Sequence, residues 1–206
     1  SLHVTIMYMG MWIEVQIRSD RMDDIERATF LNVLHILDTE PERFAKRKIF
    51  LNSIPNVKLP IDDLRKIGAL LMRHSGTVVV EMTEQTEADE QALSAIKERY
   101  KNLGIELAVD DYGTGYSNVK NLLRYMPQYV KIDRSLLSEI QDSPKKRHFV
   151  REIIEFCHDN GIMALAEGVE TYSELKTMIG LGADLIQGYY ISKPKPFILY
   201  EISDAV

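Results

Sequence analysis

The sequence predicts a (β/α)8 barrel, a parallel sheet wrapped by helices, on three observations. Short and almost continuously apolar runs alternate with amphipathic helical stretches, the pattern of strands covered on both faces. Eight such runs fit into 206 residues, which suits a compact barrel. Polar side chains also recur at or near the ends of the predicted strands: Glu14, Asn52, Glu81, Asp110, Lys131, Glu167 and Gln187. Barrel enzymes keep their active sites on the rim where strands end, so these seven residues would converge there. A doubly wound open sheet is the alternative, but no G-x-G-x-x-G turn supports it. Gly113-Thr114-Gly115 is too short a signal and follows two acids that would repel a phosphate.

The elements follow in order. Apolar runs from His3 to Met9 and from Met11 to Ile17 are separated by Gly10, and the second alternates, with Trp12, Glu14 and Gln16 on one face and Ile13, Val15 and Ile17 on the other. Asp23 or Asp24 can cap a helix carrying Ile25, Phe30, Leu34 and Leu37 at helical spacing, with Pro41 beyond its end. A strand over Lys48–Ser53 precedes the turn residues Pro55 and Pro60. A helix over 61–73 leads to the strand Thr77–Glu81, and one over 88–102, stopped by Gly104, leads to Ile105–Val109. A helix after Ser117 leads to Tyr129–Ile132; a long one over 144–160, stopped by Gly161, leads to Ile162–Ala166. The last pair is a helix over 172–181 and the strand Leu185–Tyr189.

Composition narrows the function classes. The chain is 45% hydrophobic and 27% charged, ordinary for a globular protein with one sizeable core. A net charge of -6, without a basic run interleaved with aromatics, argues against a nucleic-acid polymer as partner. No apolar run approaches the length a membrane span needs, and no signal peptide is visible; one cysteine allows no disulfide within the chain, which is compatible with the cytoplasmic location expected. The single cysteine, Cys157, lies on the apolar face of a predicted helix with Ile153 and Ile154 and reads as a buried structural thiol.

Chemistry concentrates at Asp110-Asp111, two adjacent carboxylates placed where the predicted strand Ile105–Val109 stops. Neighbouring anions repel, and one would be driven to protonate unless a cation lies beside them, so the pair suggests a divalent-metal site. The plainer reading of the same residues is a helix cap. Taken singly, Glu81 or Glu167 could also cap a helix, Lys131 could end a strand in solvent and Asn52 could serve a turn. Their joint placement on successive strand ends argues for a site.

These residues carry a family resemblance. The runs Glu81-Met82-Thr83-Glu84, Asp110-Asp111-Tyr112-Gly113-Thr114-Gly115-Tyr116-Ser117, Lys131-Ile132-Asp133, Ala166-Glu167-Gly168-Val169-Glu170-Thr171 and Gln187-Gly188-Tyr189 resemble the EAL-domain family of bacterial cyclic di-GMP phosphodiesterases. The resemblance spans roughly Asp24 to Pro194. It implies a TIM-like (β/α)8 barrel with an antiparallel first strand, and two divalent cations, Mg2+ or Mn2+. By the resemblance, Asn52, Glu81 and Asp110 bind one cation, and Asp110 and Asp111 serve the second. Glu84 braces the loop after Asp111, Lys131 and Glu167 handle the attacking water and the phosphate, and Glu170 and Gln187 shape the rest of the substrate pocket. It further implies a homodimer formed near the Asp111 loop. The residue types suit that chemistry: hard cations prefer carboxylate and amide oxygens, and no Cys or His cluster suggests zinc.

The sequence departs from the family at its beginning. The name-giving Glu-Ala-Leu is absent; Glu14 and Arg18 stand where the family has a metal-binding acid and a phosphate-contacting arginine, but Val15 and Gln16 are not the expected pair. The stretch between Arg18 and the helix near Asp23 is short, and the family's Gln-Pro pair is missing from His3–Met9. The expectation is a single EAL-type barrel domain over 1–206, excised from a larger protein and incomplete near 1–23. Two functions stay open: a metal-dependent hydrolase opening cyclic di-GMP to linear pGpG, and a catalytically weak or inactive module that binds cyclic di-GMP or a protein partner.

Overall fold

A computed structural model describes residues 2–8, 11–17, 22–44, 47–53, 59–83, 90–114, 122–123 and 126–193. They fall into two compact units, one formed within Ser1–Met82 and Thr86–Leu107 and the other chiefly within Ala108–Pro194. Strands alternate with helices, as the apolar pattern requires of an α/β protein.

The first unit begins with a hairpin of β1 (Leu2–Tyr8) and β2 (Met11–Ile17), in which Leu2 lies opposite Ile17 and Tyr8 opposite Met11. Among the described residues these strands pair only with each other, and the pairings described for the later strands are parallel. The expected antiparallel first strand of a barrel is therefore corrected: antiparallel pairing is confined to a local hairpin. Two residues separate the runs, so closing them on each other costs little chain entropy.

Helix α1 (Met22–Thr39) starts ahead of both expected caps, leaving Asp23 and Asp24 in its first turn, where their charge favours the helix dipole. It buries Phe30, Leu34 and Leu37. Strand β3 (Ile49–Asn52), helix α2 (Ile61–Arg73), strand β4 (Val78–Thr83) and helix α3 (Glu90–Asn102) follow. β3 and β4 pair in parallel from Ile49 opposite Val78 to Asn52 opposite Glu81. Val78, Val79 and Val80 are wholly buried, as befits a strand covered on both faces. Asp38 ties α1 to the end of α2, taking His74 Nε2 at 2.6 Å and the Arg73 guanidinium at 2.8 Å.

The second unit holds most of β5 (Glu106–Tyr112), then β6 (Tyr129–Ile132), β7 (Met163–Ala166) and β8 (Leu185–Ile186), paired in parallel in that order. β5 does not stop at Val109 as expected. Val109 lies opposite Val130 and Tyr112 opposite Ile132, so three steps on β5 match two on β6 and one residue bulges. Asp111 takes up that extra residue in the left-handed region, at φ 57. β8 is shorter than expected because the ladder ends after Ile186: Gln187 N still donates to Ala166 O at the end of β7, but the Gln187 carbonyl accepts from Val169 N in the loop beyond it.

A short helix, α4 (Arg134–Leu137), is capped by Asp133, which accepts from Ser135 N at 2.8 Å. α5 (Pro144–Asp159) is capped by Ser143 and buries Val150, Ile153, Ile154 and Cys157. α6 (Tyr172–Leu181) opens with a capping box between Thr171 and Glu174 and ends at Gly182. The helix expected after Ser117 lies outside the described residues apart from Leu122 and Leu123. No helix among the described residues is long and apolar enough to cross a membrane.

Candidate active site

In the first unit, the parallel register sets Asn52 beside Glu81, so an amide and a carboxylate share one face of neighbouring strands. Glu81 is buried, an unusual place for a carboxylate. The strand end is anchored at the next residue: Ser53 N donates to Glu81 O at 3.0 Å, and Ser53 Oγ donates to Glu26 Oε1 at 2.8 Å.

In the second unit, the β5 bulge and the strand β6 assemble a charged cluster. Lys131 stands in the buried run Tyr129-Val130-Lys131-Ile132 with 3% of its surface exposed. Its ammonium meets Asp110 Oδ1 at 2.8 Å and Glu167 Oε2 at 3.1 Å. Asp110 Oδ1 also accepts from Asp111 N at 3.1 Å, which fixes the carboxylate against the bulge. Asp111 is exposed at the residue level. Partial desolvation, then the Asp110 and Asp133 carboxylates, hold its carboxyl above the usual aspartate range, with Lys131 opposing them. Crowded acids with one ammonium among them leave a local excess of negative charge. Gly113, at φ 112, follows on the same loop; a Cβ there would come within 2.2 Å of the Leu136 side chain.

The loop after β7 is held by a buried acid that sequence reasoning missed. The Glu174 carboxylate accepts from Glu170 N at 2.9 Å, Thr171 N at 3.0 Å and Glu139 N at 3.1 Å. The Thr171-x-x-Glu174 spacing signals the capping box, but nothing in it foretells the bond to Glu139. Glu170, expected in the substrate pocket, is engaged by both terminal nitrogens of Arg134, one of them at 2.6 Å. Gly168 packs on that arginine, since a Cβ would come within 2.8 Å of its side chain.

The structure thus brings Asn52 together with Glu81 in one unit, and Asp110 and Asp111 together with Lys131 and Glu167 in the other. Gln187 joins the second group through its backbone bonds to Ala166 and Val169. Glu14 is placed otherwise than expected: it is the fourth of seven residues in β2, opposite Thr5, and not at a strand end. Arg18 and Glu84 lie outside the described residues. Asp133, Arg134, Glu26 and Glu174 are the polar groups around these clusters to which sequence reasoning gave no role.

The donors suit hard divalent cations by their chemistry. An amide beside a buried carboxylate, and two adjacent carboxylates of which Asp111 is held above its usual range, offer oxygen ligands and an excess of negative charge that a cation would relieve. Among the described residues, no group of three His, Cys, Asp or Glu side chains is gathered as a metal cluster.

The EAL domain family matches residues 18–194. A probable cyclic di-GMP phosphodiesterase of Escherichia coli, PdeN, is 31% identical over 134 residues, which cover 65% of this chain and 26% of that protein. Among solved structures, a manganese and cyclic di-GMP complex of BlrP1 from Klebsiella pneumoniae superposes with a TM-score of 0.77 at 25% identity, covering 86% of this chain and 46% of the other. A standalone EAL protein from Vibrio cholerae with cyclic di-GMP bound gives 0.76 at 26% identity, covering 87% and 76%.

Proposed function

Because the chain belongs to the EAL domain family, we propose that it is a metal-dependent phosphodiesterase that hydrolyses cyclic di-GMP to linear pGpG in bacterial second-messenger signalling. The observation that carries this reading is the buried Lys131 ammonium held between Asp110 and Glu167 beside Asp111. A structural ion pair would need one acid, not an excess of them. On this reading Asn52 and Glu81 serve one divalent cation, Mg2+ or Mn2+, and Asp110 and Asp111 serve another. Such cations, when bound, neutralise the phosphodiester and lower the pKa of a water.

The chain's own residues supply the remainder. Lys131 fixes the Asp110 and Glu167 carboxylates on one ammonium, so that both keep their places as charge develops at the phosphate. Glu167 accepts a proton from the water as its oxygen bonds to phosphorus and one P–O ester bond breaks, and the departing sugar oxygen takes up a proton from solvent to leave as a hydroxyl. The Arg134–Glu170 pair and the Glu174 carboxylate hold the loop that carries Glu167. The parallel strands are read as part of a TIM-like barrel working in the cytoplasm. Glu14 is not assigned a place in this reading.

The test is hydrolysis of cyclic di-GMP to pGpG with added manganese or magnesium, beside Asp110→Asn. Turnover in the parent chain that disappears in the variant, with circular dichroism unchanged, supports the reading. Binding of cyclic di-GMP without turnover in any metal would favour a receptor module instead.

A further inference from the structure

The apolar stripe of α1, Phe30, Leu34 and Leu37, continues backwards by one turn onto Glu26, an acid where the helix period calls for a hydrophobe. Glu26 is only 7% exposed. A buried carboxylate is costly unless hydrogen-bonded, and here it accepts from Ser53 Oγ at 2.8 Å. Tyr100 of α3 joins them: it is buried, and its phenol is pushed up by burial and then by the Glu26 charge. Three polar groups from α1, α3 and the end of β3 are thus gathered in the core of the first unit.

Ser53 links that trio to the site. Its side chain is tied to α1 and its backbone N–H to Glu81 O at 3.0 Å, so both of its degrees of attachment are used on one residue. Asn52 directly precedes it and stands in register with Glu81. Rotation of the Asn52–Ser53 peptide would break one bond or the other.

We propose that Glu26 is a positioning residue which, through Ser53, sets the Asn52 amide beside the Glu81 carboxylate. The inference rests on the reading of Asn52 and Glu81 as ligands of a divalent cation. A wholly apolar residue at 26 would fill the stripe at lower cost, but it would leave the Ser53 hydroxyl without this acceptor and the amide less constrained.

The test uses the whole chain with Mn2+ as the probe, its affinity measured by isothermal titration and by electron paramagnetic resonance. Glu26→Ala and Ser53→Ala should each weaken Mn2+ binding by about 10–100-fold, the usual effect of losing a partner that orients a ligand. Hydrolysis should fall at low Mn2+ and recover at saturating Mn2+, a pattern that simple loss of stability does not give. The double variant should bind no worse than either single one, because both remove the same link. Glu26→Gln, which keeps an acceptor oxygen for Ser53, should restore most of the affinity. If Glu26→Ala does not fold, Ser53→Ala carries the same prediction. Wild-type binding and turnover with unchanged Mn2+ affinity in folded Ser53→Ala overturns the positioning role alone. A wild type that binds no Mn2+ overturns the metal reading and this inference with it.

Discussion

Replacing Lys131 by Met removes the single ammonium from the second-unit cluster while keeping a side chain of similar length. At an effective dielectric of about 20, charges 2.8 and 3.1 Å apart attract by about 6 and about 5 kcal/mol. Desolvating the ions consumes much of that, and breaking a buried pair by deleting one partner costs about 3–5 kcal/mol net. The loss should depend on pH. Asp111 is already held above the usual aspartate range by desolvation, Asp110 and Asp133, and Lys131 is the group that opposes them. A carboxyl whose folded pKa is raised contributes stability that is fully present below its unfolded pKa and is lost as pH rises through the folded one. Removing Lys131 raises that folded value further, so the variant's deficit should be smallest in acid and widen towards neutral pH. Urea unfolding of both proteins between pH 4.5 and 8, with m-values compared, measures it. Hydrolysis at neutral pH should fall by about 10²–10⁴-fold. A variant as stable as the parent at every pH, or one with a deficit independent of pH, would refute the claim that Lys131 neutralises this cluster.

Three further outcomes are expected. Gly188→Ala should cost about 1–3 kcal/mol or more, since its Cβ would lie 2.1 Å from Val169 O, in backbone already bonded to Gln187 and Tyr190; urea midpoints decide this. Glu174→Ala leaves three backbone N–H donors without their acceptor and should destabilise by about 1–3 kcal/mol, with Glu174→Gln recovering part, again by denaturation. Burial, aided by Asp184, pushes the Cys157 thiol from 9.0 up to about 12, so the stability it lends is complete below pH 9 and is lost as pH rises towards 12. Ellman's reagent at pH 8 should therefore react only on unfolding, and rapid reaction of the native protein would contradict the buried setting.

Where local punctuation is strong, the sequence is enough. Pro60 and the Thr171 capping box with Gly182 set the ends of α2 and α6 at the residues expected from the letters. β5 shows how the same logic fails. Ending a strand at its last apolar residue assumes that acids leave the ladder, but a bulge lets the ladder continue through Asp110 and Asp111 to Tyr112. The signal was present in retrospect, because Tyr112 is a buried aromatic just beyond two acids. Glu14 stands in mid-strand and not at a strand end for a different reason. A polar residue alternating with apolar ones marks a strand face, and carries no information about which partner the strand will choose; β2 paired with its nearest neighbour in sequence.

Buried charges form a third class, legible only in pairs. Glu26 in the stripe of α1 and Lys131 in the run Tyr129-Val130-Lys131-Ile132 both break an apolar period, and each alone resembles an exposed residue in a half-buried element. Lys131 becomes interpretable once Asp110 on β5 and Glu167 just after β7 are placed beside it, because a lysine only 3% exposed is tolerable only with counter-charges at contact distance. The same holds in reverse for the acids, whose mutual repulsion along Asp110-Asp111 would otherwise favour protonation. Each of these residues is thus stable only given the others, so the cluster is selected as a unit. A substitution at any one of them should consequently show strong coupling to the rest in a double-mutant cycle, and additive losses for Lys131→Met with Asp110→Asn would mean that the charges act separately.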